Sequence, residues 1–510
     1  MTLKDTLLRP ALAASFFVLA SGGMALADKA TNTLNVGVKQ SLPTLDAYYG
    51  GGNIREGNNV IRLLFDTLVL RDPETYEYRP LLATDWSWSS DTAIDFTIRQ
   101  GVKWHDGTDL TVEDVVYTLN YVSDPENKVL TQPLVSWIEG AEALDGNVVR
   151  LHTKRPFPPA LEYLSLALPI FPKAYYEEVG PEGMGQAPVG SGPYKLVSFD
   201  TSSIVVEINE AYYEGGGKPK PSIETINFKF IPDAATQMAE LLGGQLDWIA
   251  GVGPDQAEQL RGVPGVEVST GEVPRVTYIG FDATGRSGVS YFEDRSVREA
   301  FARAIDVPEF VETMVGESAR IIPTPCFPDQ FGCVQDKAVS YAFDPDLSKS
   351  LLAEAGFPDG FEVDMYSFRS REWAEVVAGY LANVGIRANI NHVPISTYIQ
   401  KNRAGEMPVM LSDNSFWSIM DASVPISRFF KMVPEDYARD EEIKEWLDVA
   451  DSSLDPEERK EYYGKAIEKI TQEVYWFPMF TGIENFAFSE DFDFVPPRDN
   501  FVNFYAYGWK

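Results

Sequence analysis

The residues from Ser412 to Ala422 hold the densest set of groups suited to gripping a small polar molecule. Asp413 and Asp421 supply carboxylates, Asn414 and Ser418 an amide and a hydroxyl, and Phe416 and Trp417 flat apolar rings. The apolar run Val409 to Leu411 precedes them, which predicts a position at the end of a sheet strand, where open α/β sheets present groups to a crevice. Either aspartate equally fits a turn or helix cap ahead of Val424-Pro425. Tyr48 and Tyr49, beside Gly50-Gly51-Gly52, are candidates for aromatic cleft walls, with core packing as the alternative for both. Arg369, near Arg371 in Ser367-Phe368-Arg369-Ser370-Arg371, could hold a carboxylate through two parallel hydrogen bonds or pair with an acid of the chain itself.

Catalytic chemistry finds little foothold. The three histidines, at 105, 152 and 392, share no helix face with one another or with a close set of acids, so no metal site is expected. His105, beside Asp106-Gly107, reads as part of a turn. Neither a Gly-x-Ser-x-Gly nor a Ser-x-x-Lys pattern occurs, and no Gly-x-x-x-x-Gly-Lys loop is present to cradle phosphates. Paired acids such as Asp440-Glu441 and Glu457-Glu458 lie in charged helical stretches and read as solvated faces. The expectation is a binding protein without cofactor or metal.

A chain of 510 residues, 44% hydrophobic and 23% charged, has the mass for two or three lobes and the composition of an ordinary folded protein. Its net charge of −33 repels phosphate backbones and argues against a nucleic-acid partner. Residues 1–27 have the form of a secretory signal: Lys4 and Arg9, an apolar run from Ala11 to Ala20, then Ala25-Leu26-Ala27 at the cleavage position. The run is about half the length of a membrane span, and no cysteine follows it to carry a lipid. The expected address is the periplasm, free of any anchor. In an oxidising space Cys326 and Cys333, separated by six residues, are expected to close a small structural disulfide.

Local patterns then place the elements. Thr33 to Val38 alternates as a half-buried strand does, and Thr111 with Asp114 opens a helix bearing Val115, Val116, Leu119 and Val122 on one face. Helices are predicted over Ala234 to Leu242, after Asp294, from Asp344-Pro345 to Gly356, over Glu372 to Asn383 and from Asp455-Pro456. Strands are predicted over Tyr194 to Phe199, Leu246 to Ile249 and Ile386 to Ile390. The dense turn Pro188-Val189-Gly190-Ser191-Gly192-Pro193 reads as a boundary between lobes. Mixed α/β lobes follow, with no repeat of fixed period.

The stretch from Phe96-Thr97-Ile98 through Lys103-Trp104-His105-Asp106-Gly107-Thr108 to Glu113-Asp114-Val115 resembles the signature of the extracytoplasmic solute-binding proteins of ABC importers, in the peptide and nickel class called family 5. Gly190-Ser191-Gly192-Pro193-Tyr194, the stretch from Pro232-Asp233 to Asp247, Asp294 through Asp306, and Leu351 through Phe357 follow in the family's order. The resemblance implies two jaws joined by a two-strand hinge, with an additional intercalated lobe. It implies lobe I from 28–47, 188–276 and 484–510, lobe II from 48–187, and lobe III from 277–483. Val276 to Phe281 and Met479 to Phe486 are the hinge candidates. It further implies that an acid near 413 or 421 meets a ligand ammonium and that Arg369 meets a carboxylate, although the family's usual Gly-Trp before the acid is missing here. The function so implied is capture of a di- or oligopeptide-like solute by a monomer that delivers it to permease subunits in the inner membrane. Stacking of sugar rings on Trp417 and Tyr48 leaves an oligosaccharide or opine-like conjugate as the alternative, and a secreted hydrolase as a distant one.

Overall fold

A computed structural model describes residues 29–51, 55–415 and 418–510. The expected leader over 1–27, and Phe416 and Trp417, lie outside the described residues. Ten strands form one sheet, in the order Arg387–His392, Glu362–Ser367, Val409–Asn414, Val266–Phe281, Trp476–Ser489, Trp248–Ala250, Thr33–Val38, Thr225–Phe230, Ser203–Ile208, Tyr194–Phe199. Its two halves differ in their neighbours but share a plan. In one, Thr33–Val38 runs parallel to Thr225–Phe230 and Trp248–Ala250. In the other, Glu362–Ser367 runs parallel to Arg387–His392 and Val409–Asn414.

Only the long antiparallel pair Val266–Phe281 and Trp476–Ser489 belongs to both halves. The pair is irregular in two places, between Val273 and Val276 and between Thr277 and Tyr278. Proline explains both. Pro274 interrupts the first strand at the first irregularity and Pro478 the second strand at the other, because neither has an N–H to donate to the ladder. Gly482 faces Val273 at the first break, and a Cβ there would stand 2.9 Å from Arg275 Cβ, so only glycine lets the strands approach. The hinge candidates lie within these two strands.

A separate four-stranded antiparallel sheet, Ala83–Ser90, Ala93–Ile98, Val148–Thr153 and Ile138–Leu144 in spatial order, carries the helix Val112–Ser123. Asp114 anchors that helix twice: Oδ2 accepts from Thr111 N at 2.8 Å and Oδ1 from Lys173 N at 2.8 Å. Side chains of this sheet and of the first half of the large sheet share one hydrophobic core, so the two are a single packed body. The other half has its own core around Phe301, Phe310, Val377 and Phe480. Helices Ala234–Leu242, Arg295–Arg303, Pro345–Glu354, Arg371–Ala382 and Pro456–Gln472 stand close to their predicted places, each led by an Asp or Ser whose side-chain oxygen accepts from a backbone N–H of the first turn. Cys326 and Cys333 are bonded, and the clip they close holds the segment after residue 418: Gln330 Nε2 donates to Ile419 O at 2.7 Å and Phe331 N to Met420 O at 3.0 Å.

His105 and the Gly190-Ser191-Gly192 turn explain each other. Gly190 N donates to His105 Nδ1 at 3.2 Å, and the opposite ring nitrogen meets Gly192 O at 3.1 Å, so the ring must be neutral with its proton on Nε2. A Cβ on Gly190 would lie 1.9 Å from Leu64 O, which is why the turn needs glycine. Burial pushes the His105 pKa down from 6.5 to about 4. Between those values the unfolded chain binds a proton that the folded chain refuses. The stabilisation is therefore complete above pH 6.5 and is lost as pH falls toward 4, by about 2 to 3 kcal/mol. Buried Asp46, raised to about 6, acts in the opposite sense. Urea unfolding of His105→Gln beside wild type isolates the histidine, since Asp46 is common to both. The variant is expected to be less stable at pH 7 and to lose less stability between pH 6.5 and 4; equal losses would show that His105 titrates normally.

Candidate functional site

Four strands, a parallel pair from each half of the sheet, run toward each other and end at one place. Gln40 follows Thr33–Val38, Gly251 and Val252 follow Trp248–Ala250, Arg369 follows Glu362–Ser367, and Asp413 and Ser415 close Val409–Asn414. All of these border one cavity of about 620 Å³, in the crevice beyond the carboxyl ends of the strands. Arg275, Thr277, Glu484 and Asn485 from the two hinge strands form its floor, and Glu56 and Asn500 complete the rim. The size suits a small solute.

Asp413 is the electrostatic centre of this crevice. Its strand runs three residues past the predicted end at Leu411, because Val276, Thr277 and Tyr278 continue the pairing as far as Asn414. Strand alternation then sends Asp413, with its partner Thr277, to the cavity face. Both Nε and Nη2 of Arg369 lie 2.6 Å from Asp413 Oδ1, and Arg275 Nε is 3.6 Å from Oδ2. The carboxylate is buried and the Arg369 side chain about one-third exposed, so the cations face the open side. Thr277 is 2% exposed, and among the described residues neither its Oγ1 nor the buried Asn500 Oδ1 has a hydrogen-bond partner. A cavity with charges of both signs and two unmatched polar atoms suits a polar, zwitterionic guest.

The other expected site residues fall elsewhere. Asp421 is buried in a second core region, where Arg459 Nη2 meets both carboxylate oxygens at 3.0 and 2.9 Å and Ser423 N donates at 3.0 Å. It borders neither this cavity nor the smaller one beside it. Tyr48 is fully buried in the large core with its hydroxyl donated to Pro169 O, so it packs rather than lining a cleft wall. Tyr49 is half-buried and shares a 2.9 Å hydrogen bond with Tyr121. Asn414 borders the smaller neighbouring cavity. Ser418 is buried with φ of 56°, and its carbonyl accepts from Arg71 Nη1 at 3.0 Å. Phe416 and Trp417 are outside the described residues.

Sequence reasoning missed two features. Arg275 and Thr277 were legible as the polar side of the alternation Arg275-Val276-Thr277-Tyr278-Ile279 within a hinge candidate. The cluster of Arg71, Glu162 and Asp499 left no local signal, since its members are distant in the chain. Arg71 pairs with Glu162 and, at 2.8 Å, with Asp499; all three side chains are about 99% buried. Burial opposes the Arg71 charge, but Glu162 and Asp499 outweigh it and hold its pKa above the usual value. Glu162 also accepts from Met420 N at 2.7 Å, so this cluster, built on the double-sheet body, grips both ends of the turn from Ser418 to Met420.

The sequence pattern described as bacterial extracellular solute-binding proteins, family 5 Middle, matches residues 77–434. The chain belongs to that family. It is 26% identical over 480 residues to the glutathione-binding protein GsiB of Escherichia coli (strain K12), covering 90% of this chain and 91% of that one. Among solved structures it resembles HbpA2 from Haemophilus parasuis, at 23% identity and a TM-score of 0.82, over 94% of this chain and 100% of that one. A dipeptide binding protein from Pseudoalteromonas sp. SM9913 in complex with Met-Leu gives 20% identity and a TM-score of 0.77, again over 94% and 100%. The jaws, the two-strand hinge and the intercalated sheet are thus the fold of family 5 binding proteins. No described helix is long and apolar enough to cross a membrane.

The two aspartates are expected to separate cleanly on substitution. Asp421→Asn leaves the Arg459 guanidinium buried without its counter-charge and should cost about 3 to 5 kcal/mol. Asp413→Asn leaves Arg369 access to water and should cost about 1 kcal/mol or less. Thermal unfolding of both variants checks the difference, and an Asp421→Asn protein as stable as wild type would show that the pair is not structural.

Proposed function

We propose that this family 5 binding protein captures a small peptide-like zwitterion in the 620 Å³ crevice and delivers it, as a periplasmic monomer, to the permease of an ABC importer. The observation that carries the reading is the charge layout at the crevice: Arg369 and Arg275 around the buried Asp413, with Glu484 on the floor. A solute carboxylate would take the exposed side of Arg369, a charge-assisted pairing strengthened where water is scarce. Its ammonium would be drawn to Asp413 or Glu484. The names of GsiB and of the Met-Leu complex point to the same class of solute.

The lobes we assign are 28–47 with 188–276 and 484–510, 48–187, and 277–483. On this division the crevice lies between the first and third, and the Pro274 and Pro478 breaks are where the hinge strands bend. The cluster of Arg71, Glu162 and Asp499 then reaches across the closed jaws to Ser418 and Met420. Asp413, Arg369 and Asn414 remain the proposed ligand contacts; Ser418, held by Arg71, acts on the fold, as do Asp421 and the two tyrosines.

Calorimetric titration tests the reading on protein stripped of co-purifying solute by guanidinium and refolded. Glutathione and Met-Leu are the peptide probes, and a mannityl amino acid represents the opines. Binding of a peptide probe, with a rise in melting temperature of several degrees at saturation, is expected. Arg369→Met should weaken it tenfold to a hundredfold, the loss of about 1.5 to 3 kcal/mol. Binding of the opine alone would replace the peptide reading with the sugar-conjugate one, and turnover of any probe would replace both.

A further inference from the structure

Behind the Arg369 and Asp413 pair lies a second, smaller cavity of about 260 Å³. It shares Arg369, Asp413 and Ser415 with the crevice, so the two spaces meet at that pair. At this size it falls below the range of independent small-molecule sites but can hold one side chain.

One wall of it is apolar and aromatic. The helix Ile395–Ala404 presents Ile395, Tyr398, Ile399 and Asn402 to it, positions spaced as one helical face. Phe368 packs its ring 4.8 Å from that of Tyr398, and Phe429 closes the far side. Ile395 and Ile399 are 56% and 44% exposed at the mouth, an apolar rim beside a polar crevice. Ser412 and Glu435 add polar groups to the lining, and two of its polar atoms, the Tyr398 hydroxyl and the Asn402 side-chain oxygen, lack a hydrogen-bond partner among the described residues. Asn402 is 8% exposed and borders the cavity. An unmatched buried acceptor calls for a donor. Arg369 and Arg428 add guanidinium groups to the walls, which favour the face of an aromatic ring.

We propose that this cavity is a specificity subsite for one aromatic side chain whose tip donates a hydrogen bond, the phenol of tyrosine or the indole of tryptophan, on a peptide held in the crevice. The subsite rests on the peptide reading. The ring fills the space between Ile399, Tyr398 and Phe429, and its O–H or N–H donates to Asn402 Oδ1. The Arg369 and Asp413 pair stands at the threshold, where it holds the peptide backbone.

Titration of Gly-Gly-Gly and of tripeptides with Phe, Tyr or Trp at each position in turn tests it, read as ratios of Kd. At one position Phe should bind tenfold or more tighter than Gly, and Tyr and Trp about tenfold tighter than Phe. Asn402→Leu should bring the Tyr to Phe ratio to about one. Ile399→Trp, a change at the exposed rim, should fill the cavity and bring the Phe to Gly ratio to about one, with circular dichroism confirming the fold of each variant. Glycine peptides that bind while aromatic ones bind no tighter would overturn the subsite and leave the peptide reading standing. A Tyr preference that survives both substitutions would also overturn it. No binding by any peptide would overturn both.

Discussion

One antiparallel pair of strands carries the architecture. Among the described residues, Val266–Phe281 and Trp476–Ser489 are the only elements common to both halves of the large sheet, so each half is a sheet grown outward from one end of the same ladder. Because parallel strands flank the pair on both sides, their carboxyl ends converge on its middle, and the crevice forms there. The same middle carries Pro274 and Pro478, which have no N–H to donate to the ladder. The floor of the crevice and the interrupted part of the ladder are therefore one stretch of backbone, so whatever fills the first loads the second.

The crevice and the body around it use arginine in opposite ways. Arg459 and Arg71 are sealed in, matched by Asp421 and by Glu162 with Asp499, and contribute shape at a desolvation cost. Arg369 is left partly in water with Asp413 beneath it. A guanidinium so placed is oriented before a guest arrives yet keeps donors to spare, which lowers the ordering cost of binding.

The fold was legible wherever the determinants are local. Asp233, Asp294, Asp344 and Asp455 each cap a helix that begins at the next residue, since capping depends on neighbours within three positions. The family signature led to the architecture because His105 and the Gly190 turn, far apart in the chain, are two halves of one contact. The site was read less well for a physical reason. Asp413 and Asp421 look alike in sequence, and what separates them is Arg459, thirty-eight positions downstream of the second. Tyr48 likewise looks like Tyr49 until Phe171, packed 4.9 Å from its ring, draws it into the core.

The cluster of Arg71, Glu162 and Asp499 carries a thermal consequence. On the proposed lobe division, opening the jaws would return these groups, with Ser418 O and Met420 N, to water. Ordering water around charge costs entropy, so ionic hydration becomes less favourable as temperature rises. Warming thus favours the arrangement in which the cluster stays dry. A hinge softened by two prolines would swing more widely with heat, and the buried ions pull in the other direction, toward a closed receptor.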